Sequence, residues 1–335
     1  MHRRAFLQAT AVHLRGDSFD DTVRALSAAE TGPAGADNFL TNEDSFPRIC
    51  GRIAREVPPG VYLGVGPDQN LTYLAHARPS RAFVVDFRRK NMLVHLLHKA
   101  LFTLSDDRAG YLSRLTARGL DARADDLIAS ADAARFDRSR LVKVVAEVRA
   151  TVEPLALLGP ADWPLLATIQ ARLAGPGLSA RFLALPMYPT LGRLIRTPDA
   201  EGRPAHFLAT EALYREVRDL QRAGRVAPIV GDYGAAGGLD RLGEWLRNRG
   251  ELVAFIYISD VEDFSIRNGR FDTYIRNLQS LPLAGGARLA RTSTRPIENA
   301  ARVRGDSSTT TLTPVAKLLA DAKAGRIRRP ADLFN

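Results

Sequence analysis

Apolar residues fall along this chain in two rhythms. Four short runs are almost wholly apolar: "VYLGV" at 61–65, "AFVVDF" at 82–87, "APIVGD" at 227–232 and "VAFIYI" at 253–258. Such runs, too short for helices and with no polar face, predict strands buried on both sides, as in a parallel sheet covered by helices. Between them the rhythm is helical. "DQNLTYLAHA" puts Leu71, Leu74 and Ala75 on one side, and "LDRLGEWLRNRG" is amphipathic and closed by Gly250.

The alternation breaks once. After Asp86 the patterns of "NMLVHLLHKALFTLSDDRAGYLSRLTARG", of 122–135 and of much of 162–173 are helical, and no parallel-strand run follows until "RVAPIVGDYG" at 225–234. The chain therefore divides into an N-terminal extension (1–45), a first part of the core (46–91), a mostly helical insertion or cap (92–222), a second part of the core (223–300) and a C-terminal helix and tail (301–335). The expected fold is α/β: a doubly wound, mostly parallel, Rossmann-like sheet with a large helical insertion after the second core strand. "GARLARTS" predicts one further weak strand, and "TLTPVAKLLADAKAGRIRRPADLFN" one helix with a loose end.

Composition narrows the class. The 335 residues are 45% hydrophobic and 25% charged, ordinary for a globular protein. The net charge of +10 rests on 47 basic residues, of which five are lysines. The basic residues form only short local clusters, such as Arg88-Arg89-Lys90, without interleaved aromatics, which speaks against a nucleic-acid interface. A single cysteine, Cys50, excludes a disulfide framework and a cysteine zinc cluster. No run reaches the ~18 apolar residues of a membrane span. Arg3-Arg4 before Phe6-Leu7 resembles a twin-arginine export signal, but the apolar stretch after it is short and is interrupted by His13, so the expectation is a cytoplasmic protein, with export the alternative.

The candidate chemistry starts at the first strand. "VYLGVGPDQ" ends a strand in Gly64-Val65-Gly66, a tight turn that brings backbone close to a bound group, before a helix whose N-terminus offers free N–H groups. Asp86 lies twenty residues beyond Gly66 at the end of the second strand, where an acid accepts hydrogen bonds from ribose hydroxyls. The third glycine of a dinucleotide fingerprint is absent; Gln69 stands in its place, and Asp68 would set negative charge where a pyrophosphate sits. That favours S-adenosylmethionine, which has no phosphates and carries a sulfonium, over NAD. Asp232, after the next core strand, is then the candidate contact for the adenine amino group.

The stretches "YLGVGPDQNLTYL", "FVVDFRRKNMLVHLLHKALF", "MYPTLGRLIRTPD", "VAPIVGDYG", "AFIYISDVEDF" and "YIRNLQSLP" carry a resemblance. Over about residues 40–295 the chain resembles a bacterial protein family of uncharacterised function whose core is similar to class I S-adenosylmethionine-dependent methyltransferases. The resemblance implies that Gly64 and Gly66 form the loop on the methionine side, that Asp86 meets the ribose and that Asp232 meets the adenine. The chain departs from the methyltransferase pattern in the missing third glycine and in the long insertion. From the family's own pattern it departs at Asp260, where Asn is more usual.

Asp260, Glu262 and Asp263 follow the fourth apolar run, on the side where a methyl acceptor would lie. Asp260 and Glu262 are candidates to hold or deprotonate a nucleophile, and the three acids together could bind Mg²⁺. Tyr188, beside Thr190 in "MYPTLGRLI", is a candidate pocket aromatic. His95 and His98, three apart on one helix, read as core histidines rather than metal ligands, and no metal is assigned. Phosphate-loop, Gly-x-Ser-x-Gly and His-Glu-x-x-His motifs are absent. The leading expectation is methyl transfer to a small-molecule substrate. The alternatives are a non-catalytic ligand- or partner-binding protein and, less favoured, a nicotinamide-dependent oxidoreductase.

Overall fold

A computed structural model describes residues 18–30, 38–124, 126–295 and 297–335. The twin-arginine reading lies outside the described residues. Among them no helix is long and apolar enough to cross a membrane.

One sheet organises the molecule. Its strands are β1 (Val61–Gly64), β2 (Arg81–Asp86), β3 (Val226–Val230), β4 (Val253–Tyr257), β5 (Leu283–Ser293) and β6 (Thr309–Pro314), in the spatial order β3-β2-β1-β4-β5-β6. The first five are parallel, and β6 pairs antiparallel with β5. The four apolar runs are thus neighbours in one sheet. The order reverses between β1 and β4, and the crevice outside the C-terminal ends of those two strands is where ligands bind in doubly wound sheets.

The helices are α1 (Phe19–Leu26), α2 (Cys50–Glu56), α3 (Gln69–Ala77), α4 (Arg89–Leu104), α5 (Arg108–Thr116), α6 (Leu127–Ala133), α7 (Arg138–Val152), α8 (Asp162–Ala174), α9 (Leu191–Arg196), α10 (Glu211–Arg222), α11 (Asp240–Arg247), α12 (Val261–Arg267), α13 (Phe271–Gln279) and α14 (Val315–Lys323). Strand alternation sorts them onto two faces. Tyr62 pairs in register with Phe255, and Tyr73 of α3 packs edge-on against Phe255. The next residue, Leu63, pairs with Phe83, which meets Trp245 of α11. Successive residues point to opposite faces, so α3 and α11 cover opposite sides of the sheet.

Helices α4 to α10 occupy the interval between β2 and β3, and among the described residues that interval adds no strand to the sheet. Helix α4 lies on β3, and α7 and α8 pack on α4. Two expectations need correction at the C-terminal end. "GARLARTS" belongs to an eleven-residue strand, β5, rather than a weak one. The tail does not open with a helix: "TLTP" completes β6, and α14 begins at Val315. Thr309, Thr310 and Thr311 are buried against β5, and β-branched residues suit such a pleated, half-buried surface.

The described residues of the N-terminal extension pack on the core. Helix α1 packs beside β3, with the Ala28 N–H donating to the Val230 carbonyl, and residues 38–45 run into the crevice at the C-terminal edge of the sheet.

Candidate functional site at the switch point

The glycine turn is tightly held from within. Gly66 has a φ of 76°, a conformation that favours glycine. The Asn70 side-chain amide donates to the carbonyls of Val65, Gly66 and Pro67 at 2.9, 3.0 and 2.7 Å, and its Oδ1 accepts from the Tyr62 hydroxyl at 2.7 Å. His95 Nε2 lies 2.9 Å from the Gly66 carbonyl. A carbonyl only accepts, and burial lowers the His95 pKa, so the imidazole is neutral with its proton on Nε2. Tyr233 closes the other side by donating to the Gly64 carbonyl at 3.0 Å. Gly64 is glycine for a local reason: a Cβ there would stand 2.0 Å from Asn70 Oδ1 and 2.7 Å from the Tyr62 ring.

Asp68 and Gln69 are buried beside the turn, and each is held through one polar atom. Asp68 Oδ1 accepts from the Thr41 N–H at 2.7 Å, and burial raises its pKa to about 6. Gln69 Nε2 donates to the Tyr257 hydroxyl at 2.8 Å. One oxygen of the Asp68 carboxyl thus holds the backbone of the N-terminal segment, while Oδ2 is buried without a hydrogen-bond partner.

Asp86 ends β2 as expected, but Arg88 engages it. Arg88 Nε and Nη2 lie 2.9 Å from Oδ1 and Oδ2. Asp232 lies two residues past β3, where Oδ1 accepts the Gly234 N–H at 2.8 Å and Oδ2 stands 3.7 Å from Arg270 Nη1. Gly64, Gly66, Asp86 and Asp232 thus share one edge of the sheet, at or just beyond three neighbouring strand ends.

Sequence reasoning missed Glu43. Its Oε1 and Oε2 accept from the Tyr257 hydroxyl at 2.9 and 2.8 Å, Oε1 also accepts from Ser259 at 2.5 Å, and Oε2 from Thr292 at 2.7 Å. The carboxyl is buried at the ends of β4 and β5, and desolvation raises its pKa to about 7. Next to it, Asp44 accepts from the backbone and hydroxyls of Ser307 and Ser308 and so pins the segment to the start of β6. No local signal marks Glu43, because "TNEDS" reads as a polar loop until the sheet edge surrounds it.

Asp260 precedes α12, and burial with repulsion from Asp263 raises its pKa. Ser259 links the two acids, at 2.5 Å from Glu43 Oε1 and 3.4 Å from Asp260 Oδ1. Glu262 is engaged by two residues. It forms a buried pair with Arg291 at 2.5 Å and accepts from the Tyr274 hydroxyl at 3.2 Å. Asp263 pairs with Arg267 at 2.8 Å. The three acids are thus not gathered for a cation, and among the described residues no group of three His, Cys, Asp or Glu could hold a metal ion.

Tyr188 sits apart. Its ring packs on Phe182 with centroids 4.9 Å apart and its carbonyl accepts from Arg181; among the described residues no hydrogen bond joins it to Asp260 or Glu262. His98 is a core residue, with Nδ1 2.6 Å from the Tyr111 hydroxyl and a pKa lowered by burial to about 3.

The model of the family described as Domain of unknown function (DUF7790) matches residues 39–329. The chain belongs to this family. A search of curated proteins found no match. The DUF7790 span begins at Phe39, so it takes in Glu43 and Asp44 as well as the sheet, and ends at Arg329.

A cavity of about 250 Å³ opens beside Asp260 and Ser259, between the start of α12, the end of β5 and the C-terminal turn at 330–334. Gly64, Gly66 and Asp86 do not line this cavity.

Proposed function

We propose that the protein is an S-adenosylmethionine-dependent methyltransferase acting on a small molecule. The observation that carries this reading is the shared edge. A strand–glycine turn–helix at β1, an acid ending β2 and an acid beyond β3 lie in chain order along one edge of the sheet, running outward from the switch point. The residues fit a polar ligand in one further respect: Asp68 Oδ2, Gln69 Oε1 and His95 Nδ1 are buried at the turn without hydrogen-bond partners, as is Asn91 Oδ1 one helical turn before His95. Native interiors seldom leave such atoms unpaired unless water or a ligand meets them.

The bound cofactor would supply an electrophilic methyl group on a sulfonium. In this reading Asp86 meets the ribose hydroxyls after Arg88 swings aside, and Asp232 meets the adenine amino group. Asp260, at the cavity, takes the acceptor's proton, its raised pKa suiting a general base. Ser259 and Glu43 behind it form a hydrogen-bonded path into the interior.

A non-catalytic binding protein is the second reading. It is favoured by the Arg88 grip on Asp86 and by residues 38–45 lying over the crevice. Calorimetry with S-adenosylhomocysteine, with NAD as the control arm, separates the readings. Micromolar binding of the adenosyl ligand supports the enzyme. No heat with wild type or with Arg88→Ala removes it and leaves the binding protein.

A further inference from the structure

The cavity beside Asp260 has an uneven charge economy. Four arginines line it, Arg267, Arg291, Arg295 and Arg329, with three acids, Asp260, Glu262 and Asp263. Two of the acids are spoken for: Glu262 by Arg291 and Asp263 by Arg267. Arg329 leans on Asp332 at 3.2 Å, from an exposed position. Among the described residues no carboxylate pairs with the Arg295 guanidinium, whose residue engages only through its backbone, with Ser293. The rest of the lining includes apolar residues, Ile297, Pro330, Ala331, Leu333 and Phe334. The C-terminal turn that carries most of them is fixed, with Arg291 Nη1 donating to the Leu333 carbonyl at 2.7 Å and Asn299 Nδ2 to the Phe334 carbonyl at 2.6 Å.

We propose that this cavity binds a small carboxylic acid with an apolar body of about one ring, its carboxylate on Arg295 and its body against Pro330, Ala331 and Phe334. The planar guanidinium fork matches a carboxylate with two parallel hydrogen bonds, which an ammonium cannot. The volume of about 250 Å³ lies just below the range of about 300–1,000 Å³ typical of sites for drug-sized ligands, so it suits a single-ring molecule. Asp260 repels an anion, so the carboxylate is directed away from it and the other end of the molecule is turned toward it. The inference rests on the methyl-transfer reading only in making this molecule the acceptor; the anion site stands or falls separately.

The test is calorimetry on the full chain at low ionic strength with benzoate, benzyl alcohol and benzamidine, with and without S-adenosylhomocysteine. Wild type should bind benzoate, and benzyl alcohol at least tenfold more weakly, with no benzamidine heat. Arg295→Ala, an exposed substitution, should weaken benzoate about tenfold, while Arg295→Lys restores part of the affinity. Asp260→Asn should tighten benzoate, because it removes a repelling charge, an effect a merely structural acid would not produce. Unchanged benzoate affinity in Arg295→Ala with an intact melting curve, or benzamidine binding as well as benzoate, overturns the proposal. If benzoate follows the expected pattern while the adenosyl ligand fails to bind, the anion site is supported and the methyl-transfer reading falls. The reverse result overturns the anion site alone.

Discussion

Arg88 grips Asp86 from two residues away in the chain. Its Nε and Nη2 each stand 2.9 Å from a carboxylate oxygen, and its backbone N–H also donates to Oδ1 at 3.0 Å. The Asp86 side chain is 1% exposed, and both of its oxygens are engaged by the guanidinium. The acid that the nucleotide pattern singles out is thus already satisfied by its own chain.

Displacement has a measurable sign. Arg88→Ala should tighten S-adenosylhomocysteine about fivefold or more, since the competitor is gone. Asp86→Ala should weaken it roughly 5- to 150-fold, the equivalent of about 1–3 kcal/mol for a lost charged hydrogen-bond partner. Calorimetry on the three proteins checks both, and equal constants would remove the ribose assignment.

Glu43 makes stability depend on pH. Burial raises its pKa from 4.5 to about 7, and that of Asp68 from 3.8 to about 6. The folded chain therefore holds protons that the unfolded chain has released. That stability is fully present below the unfolded values and is lost as pH rises through the folded ones. For Glu43 the full loss is about 3 kcal/mol, at about 1.4 kcal/mol per unit. Melting temperature should fall between pH 4.5 and 8 more steeply in wild type than in Glu43→Gln, which stays neutral throughout. Parallel pH profiles for the two proteins would show that Glu43 does not titrate there.

The two glycines of the turn should respond differently to alanine. At Gly66 the new Cβ would meet only the end of the Gln69 side chain at 3.2 Å, so the main cost is the positive φ, about 1–2 kcal/mol. At Gly64 the Cβ collides with Asn70 and Tyr62, whose mutual hydrogen bond must break, adding about 0.5–1.5 kcal/mol to an overpacking cost of about 1–3 kcal/mol. Urea unfolding should rank Gly64→Ala below Gly66→Ala in stability; the reverse order would contradict the packing account.

Glu262 should behave as a structural acid. Its side chain is 2% exposed and that of Arg291 5%. Glu262→Ala leaves a buried guanidinium unpaired and should cost about 3–5 kcal/mol. Replacing both residues with apolar ones, Glu262→Leu with Arg291→Met, should cost less than the sum of the single changes. A fully stable Glu262→Ala protein that had lost only activity would restore the catalytic reading of this residue.

Several elements were legible because their signal is local. The runs at 61–65, 82–87, 227–232 and 253–258 are apolar on both faces, which only a covered sheet can bury, and they became β1 to β4. Strand β6 was not legible, because "TTTLTP" owes its burial to the neighbouring β5 and runs straight into a helical pattern. Tyr188 looked like a pocket aromatic because prolines frame it on either side of the loop, yet its ring found Phe182.

By itself the sequence determined the alternation of strand and helix, the break after β2 and the placement of Gly66, Asp86 and Asp232 at strand ends. Each follows from residue spacing and from which side chains tolerate burial. The tertiary structure alone decided what those residues meet. Arg88 closes on Asp86, Thr41 claims Asp68, and Glu43 enters the sheet edge from more than two hundred residues away from Tyr257 in sequence. A carboxylate's role depends on the donors and the dielectric around it. Those are set by chain segments whose approach leaves no mark in the spacing of residues.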